Sequence, residues 1–208
     1  MSKGIAETEQ LICCCVSSLL EKTGVDAKDV DIIITACSIF NCYPSMADIL
    51  KNNFDFREDA KVLHLGGMGC SSNVIAPDLA ARLLRQQESP ATAIVINHEN
   101  VTMSVYPGSQ RNFMIANCIF RAGAAAALMS SDPKHKTKSK YVLERSIRTY
   151  NTDDLSYDCM GWGLDEQSVL GVYLPPFKVL NQVSGKAITQ TLTKLGAFLP
   201  FLFLVPSF

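Results

Sequence analysis

The sequence lacks the features that mark secreted, membrane-spanning and nucleic-acid-binding proteins. The first residues carry no apolar segment of the kind that a secretory signal requires. No run reaches the ~18 apolar residues needed to cross a bilayer, and the nearest, Leu195–Phe208, is interrupted by Pro200 and Pro206. A formal net charge of −1 provides no basic field that would attract nucleic acid. We therefore expect a cytoplasmic globular chain, if it is expressed as written, with no nucleic-acid partner.

Metal-binding and phosphate-binding patterns are also missing. The chain has eight cysteines but no C-x-x-C pair, and it has only three histidines. This arrangement does not fit the ligand spacing of a structural zinc site, and we expect most of the cysteines to be reduced, buried and apolar in character. Neither a P-loop nor a G-x-G-x-x-G segment after a strand is present. We expect no metal and no cofactor.

The chain does contain enough apolar residues for a large core. Of its 208 residues, 48% are hydrophobic and 19% are charged, which is typical of a globular protein, and we expect one domain over residues 1–208. Apolar β-branched runs predict strands at 30–37, 61–65, 92–97, 123–130 and 141–148. Helical spacing predicts helices at 7–22, 45–53, 74–84, 114–120 and 176–194, with 151–168 irregular and 133–140 a solvated loop. The alternation predicts a layered α/β fold with a mainly parallel sheet.

Cys70 is the strongest candidate for a reactive group. It lies where a predicted strand passes through the glycine-rich turn Gly66-Gly-Met-Gly69 into a predicted helix. The positive end of a helix dipole favours a thiolate, and free backbone N–H groups there can stabilise an oxyanion. The alternative is a structural cysteine at a tight junction. Pro77 falls inside the following helix and predicts that this helix is kinked or delayed.

A nucleophilic cysteine usually needs a nearby base, and the histidines offer few candidates. His98 follows the predicted strand 92–97 and is the best placed, because functional groups gather at the carboxyl ends of parallel strands. A purely structural histidine is the alternative at this position. His64 is expected to point away from the cysteine end, and His135 lies in the basic loop. Glu99 can cap a turn or orient a partner, and we expect the structural role.

Several motifs together resemble the plant and algal 3-ketoacyl-CoA synthases, the condensing enzymes of very-long-chain fatty acid elongation. The resemblance extends over about residues 21–199 and rests on the segments Lys22–Val25, Ile33–Pro44, Leu65–Ser71, His98–Thr102, Asn117–Ala125 and Ile147–Thr149. It implies a thiolase-like layered fold of which this chain holds the N-terminal half, without the first core strand and without the C-terminal half. It also implies an association with the endoplasmic reticulum membrane through a segment that these residues do not contain.

The resemblance further implies a mechanism. Cys70 matches the acyl-accepting cysteine, which would take the acyl group of a fatty acyl-CoA before condensation with decarboxylated malonyl-CoA. Phe120 falls in a segment that places a Phe at the substrate entrance in related condensing enzymes, although a core role is the alternative. The family's catalytic His and Asn belong to the C-terminal half. Two other hypotheses stay open: a non-catalytic remnant that binds a second copy or a partner chain, and a type III polyketide synthase-like enzyme.

Overall fold

The computed structural model describes residues 2–197, and most of the apolar C-terminal stretch lies outside them. The described residues form two compact units, drawn from Met1–Ser104 with Phe120–Glu144 and from Val105–Ile119 with Arg145–Phe208. Whether the whole chain behaves as one domain stays a prediction.

The first unit is built on a four-stranded sheet with the order β2-β1-β3-β4. Its strands are β1 (Ile32–Cys37), β2 (Lys61–Gly66), β3 (Thr92–Glu99) and β4 (Gly123–Ser130). Strand β1 pairs in parallel with β2 and β3, while β4 is antiparallel to β3. The expected layered α/β fold with a mainly parallel sheet is therefore confirmed, and the antiparallel edge strand is the added detail.

Helices cover both faces of this sheet. On one face, α1 (Ser2–Thr23) and α2 (Met46–Asn53) pack on alternate residues of β1 and β3. On the other face, α3 (Ser72–Arg85) packs on the remaining alternate residues through Ala76, Ala80 and Leu84. Every residue of β1 is buried, which explains its unbroken apolar sequence, since a strand covered on both faces shows no polar alternation.

Local sequence determines where these helices begin. Ser45 caps α2 in a capping box with Asp48, one residue after Pro44. Helix α3 begins at Ser72 and continues through Pro77 to Arg85, so the delayed start expected from Pro77 is wrong. Proline removes one backbone hydrogen bond, to the carbonyl of Asn73, but Asn73 is exposed and water can satisfy that carbonyl. Burial of the alanine face of α3 offsets the remaining cost.

The second unit is smaller and combines three helices with a hairpin. It holds α4 (Arg111–Ile119), α5 (Asp154–Tyr157) and α6 (Phe177–Gly196), together with a hairpin of β5 (Gly161–Leu164) and β6 (Leu170–Tyr173). Phe113 of α4 contacts Tyr106 and Tyr173, with ring centroids 4.9 and 6.2 Å away. Tyr106 also donates a hydrogen bond to Asp165 in the hairpin loop, and these contacts join α4 to the hairpin.

Two sequence predictions fail between 141 and 168. The strand expected at 141–148 is irregular, and Tyr141 and Val142 are 90% and 62% exposed. Alternating apolar residues suit a strand only where a neighbouring strand supplies hydrogen bonds, and no strand pairs with this segment among residues 2–197. The stretch 151–168, expected to be irregular, contains α5 and β5 instead.

Candidate functional site

Cys70 lies on an exposed turn between β2 and α3. The segment Gly66–Cys70 is termed the cysteine turn. Gly67 and Gly69 have φ of +71° and +58°, a backbone conformation that other residues adopt only at a cost. A short 3-10 helix over Gly69–Ser71 then leads directly into α3. The glycines are therefore required for this path, and the path leaves the Cys70 thiol exposed to solvent.

The start of α3 gives the cysteine turn its electrostatic character. The Ser71 hydroxyl donates to the carbonyl of Met68 at 2.6 Å, so it folds back onto the turn. No side chain caps the first turn of α3. Its positive dipole end begins two residues after Cys70, where it favours negative charge. This setting suits an oxyanion that forms next to the Cys70 sulfur.

Four of the other five thiols in the sheet unit are partly or fully buried, and the fifth, Cys14, is exposed. Cys37 is fully buried at the end of β1, and burial together with the nearby Glu99 carboxylate raises the pKa of its thiol to about 11. Burial likewise raises the pKa of Cys13, Cys15 and Cys42. These groups stay protonated at neutral pH and are poor nucleophiles.

Glu99 holds the chain where it leaves β1. Its carboxylate accepts hydrogen bonds from the backbone N–H groups of Ser38 and Ile39, at 2.7 and 3.3 Å. The Cys37 thiol donates to the same carboxylate at 3.6 Å. The role expected for Glu99, capping a turn, is confirmed by these contacts.

His98 occupies the face of the sheet opposite to α3. Residues alternate along β3, and Ile94 and Ile96 belong to the core under α1 and α2, so His98 points to that side as well. It is 3% exposed, and neither ring nitrogen has a hydrogen-bond partner among the described residues. Burial lowers the pKa of its ring below the ordinary value. No hydrogen bond joins His98 to Cys70 among the described residues, and its substrate-binding role stays a prediction.

His64 is part of a small polar network that the sequence did not reveal. Its Nδ1 lies 2.8 Å from the Thr35 hydroxyl of the neighbouring strand. Its Nε2 lies 3.1 Å from the side-chain oxygen of Asn41, in the loop after β1. The expectation that His64 points away from the cysteine is consistent with this arrangement, since Val62 of the same strand packs under α1 and α2. The sequence did not reveal this network because it does not show the register that places Thr35 of β1 opposite His64 of β2.

Phe120 lies between α4 and β4 in the chain and is half-buried. Its carbonyl accepts a hydrogen bond from Arg121 Nη1 at 2.8 Å. This placement neither exposes the ring fully nor buries it in the core. Its expected position at a substrate entrance stays a prediction.

Metal-binding clusters and membrane-spanning helices are absent from the part of the chain that the structure describes. Within residues 2–197, no group of three or more His, Cys, Asp or Glu side chains is arranged to hold a metal ion. None of the helices in that same range is long and apolar enough to span a bilayer.

Together, the fold and the glycine turn that leads into α3 define a thiolase-like condensing-enzyme architecture. Residues 1–204 match the family model described as FAE1/Type III polyketide synthase-like protein, and the chain belongs to this family. It is 37% identical to 3-ketoacyl-CoA synthase 2 of Arabidopsis thaliana over 199 residues, which cover 94% of this chain and 37% of that protein. It is 38% identical to 3-ketoacyl-CoA synthase 16 of the same plant over 191 residues, or 91% of this chain and 38% of that protein. The chain thus spans about two fifths of the length of these relatives.

Solved structures support the same architecture. CsyB, in a complex with CoA-SH, aligns with a TM-score of 0.69 and 18% identity, covering 93% of this chain and 53% of that one. Germicidin synthase of Streptomyces coelicolor, a type III polyketide synthase, aligns with a TM-score of 0.65 and 17% identity, covering 97% and 49%. At such identities the likeness establishes the fold.

Proposed function

We propose that this chain carries the acyl-accepting part of a 3-ketoacyl-CoA synthase that acts in very-long-chain fatty acid elongation. The observation that carries the proposal is the exposed Cys70 thiol on a glycine turn at the start of α3. The Cys70 thiolate attacks the thioester carbonyl of a fatty acyl-CoA. The bond between the carbonyl carbon and the sulfur of CoA breaks, CoA leaves as its thiolate and takes a proton from water, and the acyl group is held as a thioester on Cys70.

Condensation completes the proposed reaction. Malonyl-CoA loses carbon dioxide, and the resulting enolate carbon attacks the acyl carbonyl on Cys70. The thiolate of Cys70 leaves, and 3-ketoacyl-CoA is formed. The family resemblance assigns the His and Asn that stabilise the enolate to the C-terminal half, and the chain matches only 37% of the length of 3-ketoacyl-CoA synthase 2. We therefore propose that these 208 residues perform the first step and lack the groups for the second.

Three further points complete the proposal. CsyB, which shares the fold, was solved with CoA-SH, and this supports CoA thioesters as donors. We propose a second copy or a partner chain as a binding partner of this chain. The link to the endoplasmic reticulum membrane rests on the family resemblance.

A type III polyketide synthase-like activity is the other candidate within this family. The matches to 3-ketoacyl-CoA synthases have 37% and 38% identity, whereas CsyB and germicidin synthase have 18% and 17%. The higher identity favours fatty acyl elongation over polyketide synthesis.

The test separates the two steps. The purified chain is incubated with a long-chain acyl-CoA and the CoA released is counted per chain. We expect release approaching one equivalent for the unmodified chain and for C118A, which removes a second exposed thiol, and none for C70A. Release that survives in C70A would overturn the proposal. With malonyl-CoA added, we expect little or no 3-ketoacyl product, and robust condensation would show that the second step needs no further residues.

A further inference from the structure

The network around His64 reaches the first residue of the cysteine turn through Asn41. Thr35 and His64 are register partners on adjacent parallel strands, and Thr35 is 1% exposed. The amide oxygen of Asn41 can only accept, so the Nε2 atom of His64 carries the proton and donates to it. The Nδ1 atom then accepts from the Thr35 hydroxyl. One neutral tautomer satisfies both contacts.

Asn41 in turn lies against the first residue of the cysteine turn. A Cβ atom added at Gly66 would lie 2.6 Å from Asn41 Oδ1 and 3.0 Å from Asn41 Cγ. The shorter distance is one that real Cβ atoms essentially never show, so a side chain at position 66 would push the Asn41 amide away from its present place. The contacts therefore run without interruption from β1, through His64 and Asn41, to the backbone four residues before Cys70.

We propose that His64 and Asn41 position the cysteine turn, and through it the Cys70 thiol. His64 does not touch the substrate in this scheme, and it acts as a positioning residue. By holding the Asn41 amide against Gly66, it fixes the end of β2 from which the turn departs. The inference rests on the proposed function of Cys70 only in the claim that the turn serves acyl transfer. The effect of His64 on the turn can be measured without any acyl donor.

The expected effect follows from the geometry of a nucleophile. Misplacing a reacting group by about 1 Å costs up to about a hundredfold where the partners are held in alignment, and a small unbound reagent demands less alignment than that. Loss of the His64 contacts leaves the backbone path of the turn in place and loosens only its start. We therefore expect a reduction of about tenfold in the reactivity of Cys70.

The experiment compares two thiols in the same molecule. Both Cys70 and Cys118 are exposed, and their alkylation by iodoacetamide is followed in the 208-residue chain by peptide mass spectrometry. We expect H64L to lower the ratio of the Cys70 rate to the Cys118 rate about tenfold. H64Q keeps a donor near the Nε2 position, and we expect it to stay within about twofold of the unmodified chain.

A second pair of variants tests the contact at Gly66. G66A places a methyl group against Asn41, and we expect the same fall of about tenfold. G123A is its matched control, because a Cβ atom at Gly123 meets no atom within 4 Å, and we expect no change. If H64L does not fold, the comparison of G66A with G123A still tests the positioning role.

The outcomes are distinct. An unchanged ratio in H64L, or an H64Q ratio as low as that of H64L, would overturn the positioning role, as would equal effects of G66A and G123A. Alkylation that follows the expected pattern, without any transfer from acyl-CoA, would support the positioning role and refute the proposed function.

Discussion

Substitution of Glu99 by alanine tests how the sheet unit is held together at the carboxyl end of β1. Glu99 accepts two backbone hydrogen bonds, from Ser38 at 2.7 Å and from Ile39 at 3.3 Å. Hydrogen bonds to a charged group contribute about 1.5–3 kcal/mol each, and the longer of the two contributes less. We expect E99A to lower the free energy of unfolding by about 3 kcal/mol.

The assay is urea-induced unfolding, with E88A as the matched control because Glu88 is exposed. Surface substitutions of that kind usually change stability by less than about 0.5 kcal/mol. E99Q keeps one acceptor oxygen and the side-chain volume, so its free energy of unfolding should lie between those of E99A and E88A. A midpoint shift in E99A no larger than that in E88A would refute the assignment of Glu99 as the cap of this turn.

Two further predictions concern the remaining site residues. Burial lowers the pKa of His98 in the folded chain, whereas in the unfolded chain this pKa is about 6.5. As the pH falls, the unfolded chain therefore binds the proton first. The contribution of the neutral His98 ring to the free energy of unfolding is present above about pH 6.5 and is lost below it, by up to about 1.4 kcal/mol per pH unit. We expect H98L to have a shallower decline in unfolding free energy than the unmodified chain between about pH 7 and 5, and equal slopes would contradict the buried neutral ring. In the unmodified chain, iodoacetamide should label Cys70 faster than Cys118, since only Cys70 adjoins the start of α3, and equal rates would argue against an activated thiolate.

Much of the sheet unit could be predicted from sequence because its signals are local. Strands β1 and β3 are buried on both faces, and such strands need unbroken apolar runs, which are evident in the sequence. The predicted strand at 123–130 coincides with β4. The turn at Gly66–Gly69 was also evident, because positive φ at Gly67 and Gly69 needs glycine.

Other features depend on residues far apart in the sequence. The hairpin of β5 and β6 contains Gly161, Gly163 and Gly171, which weaken the apolar pattern of a strand, and its aromatic contacts come from α4. The failed strand at 141–148 illustrates the opposite case, in which a suitable pattern has no partner strand among the described residues.

The candidate site also combines local features, which the sequence predicts, with contacts between residues far apart in the sequence. Cys70 and its turn are local, and they were predicted. The contact of His64 with Thr35 spans 29 positions, and its contact with Asn41 spans 23. Only the register between β1 and β2 brings these three residues together, and a single sequence does not reveal that register.

The most direct test of the central claim is to locate the acyl group after reaction with a long-chain acyl-CoA. Proteolysis followed by mass spectrometry assigns the added mass to one of the eight cysteines. The account predicts that the acyl group is found on the peptide containing Cys70 and is released by hydroxylamine, as a thioester should be. An acyl group found equally on Cys118, or absent from Cys70, would contradict it.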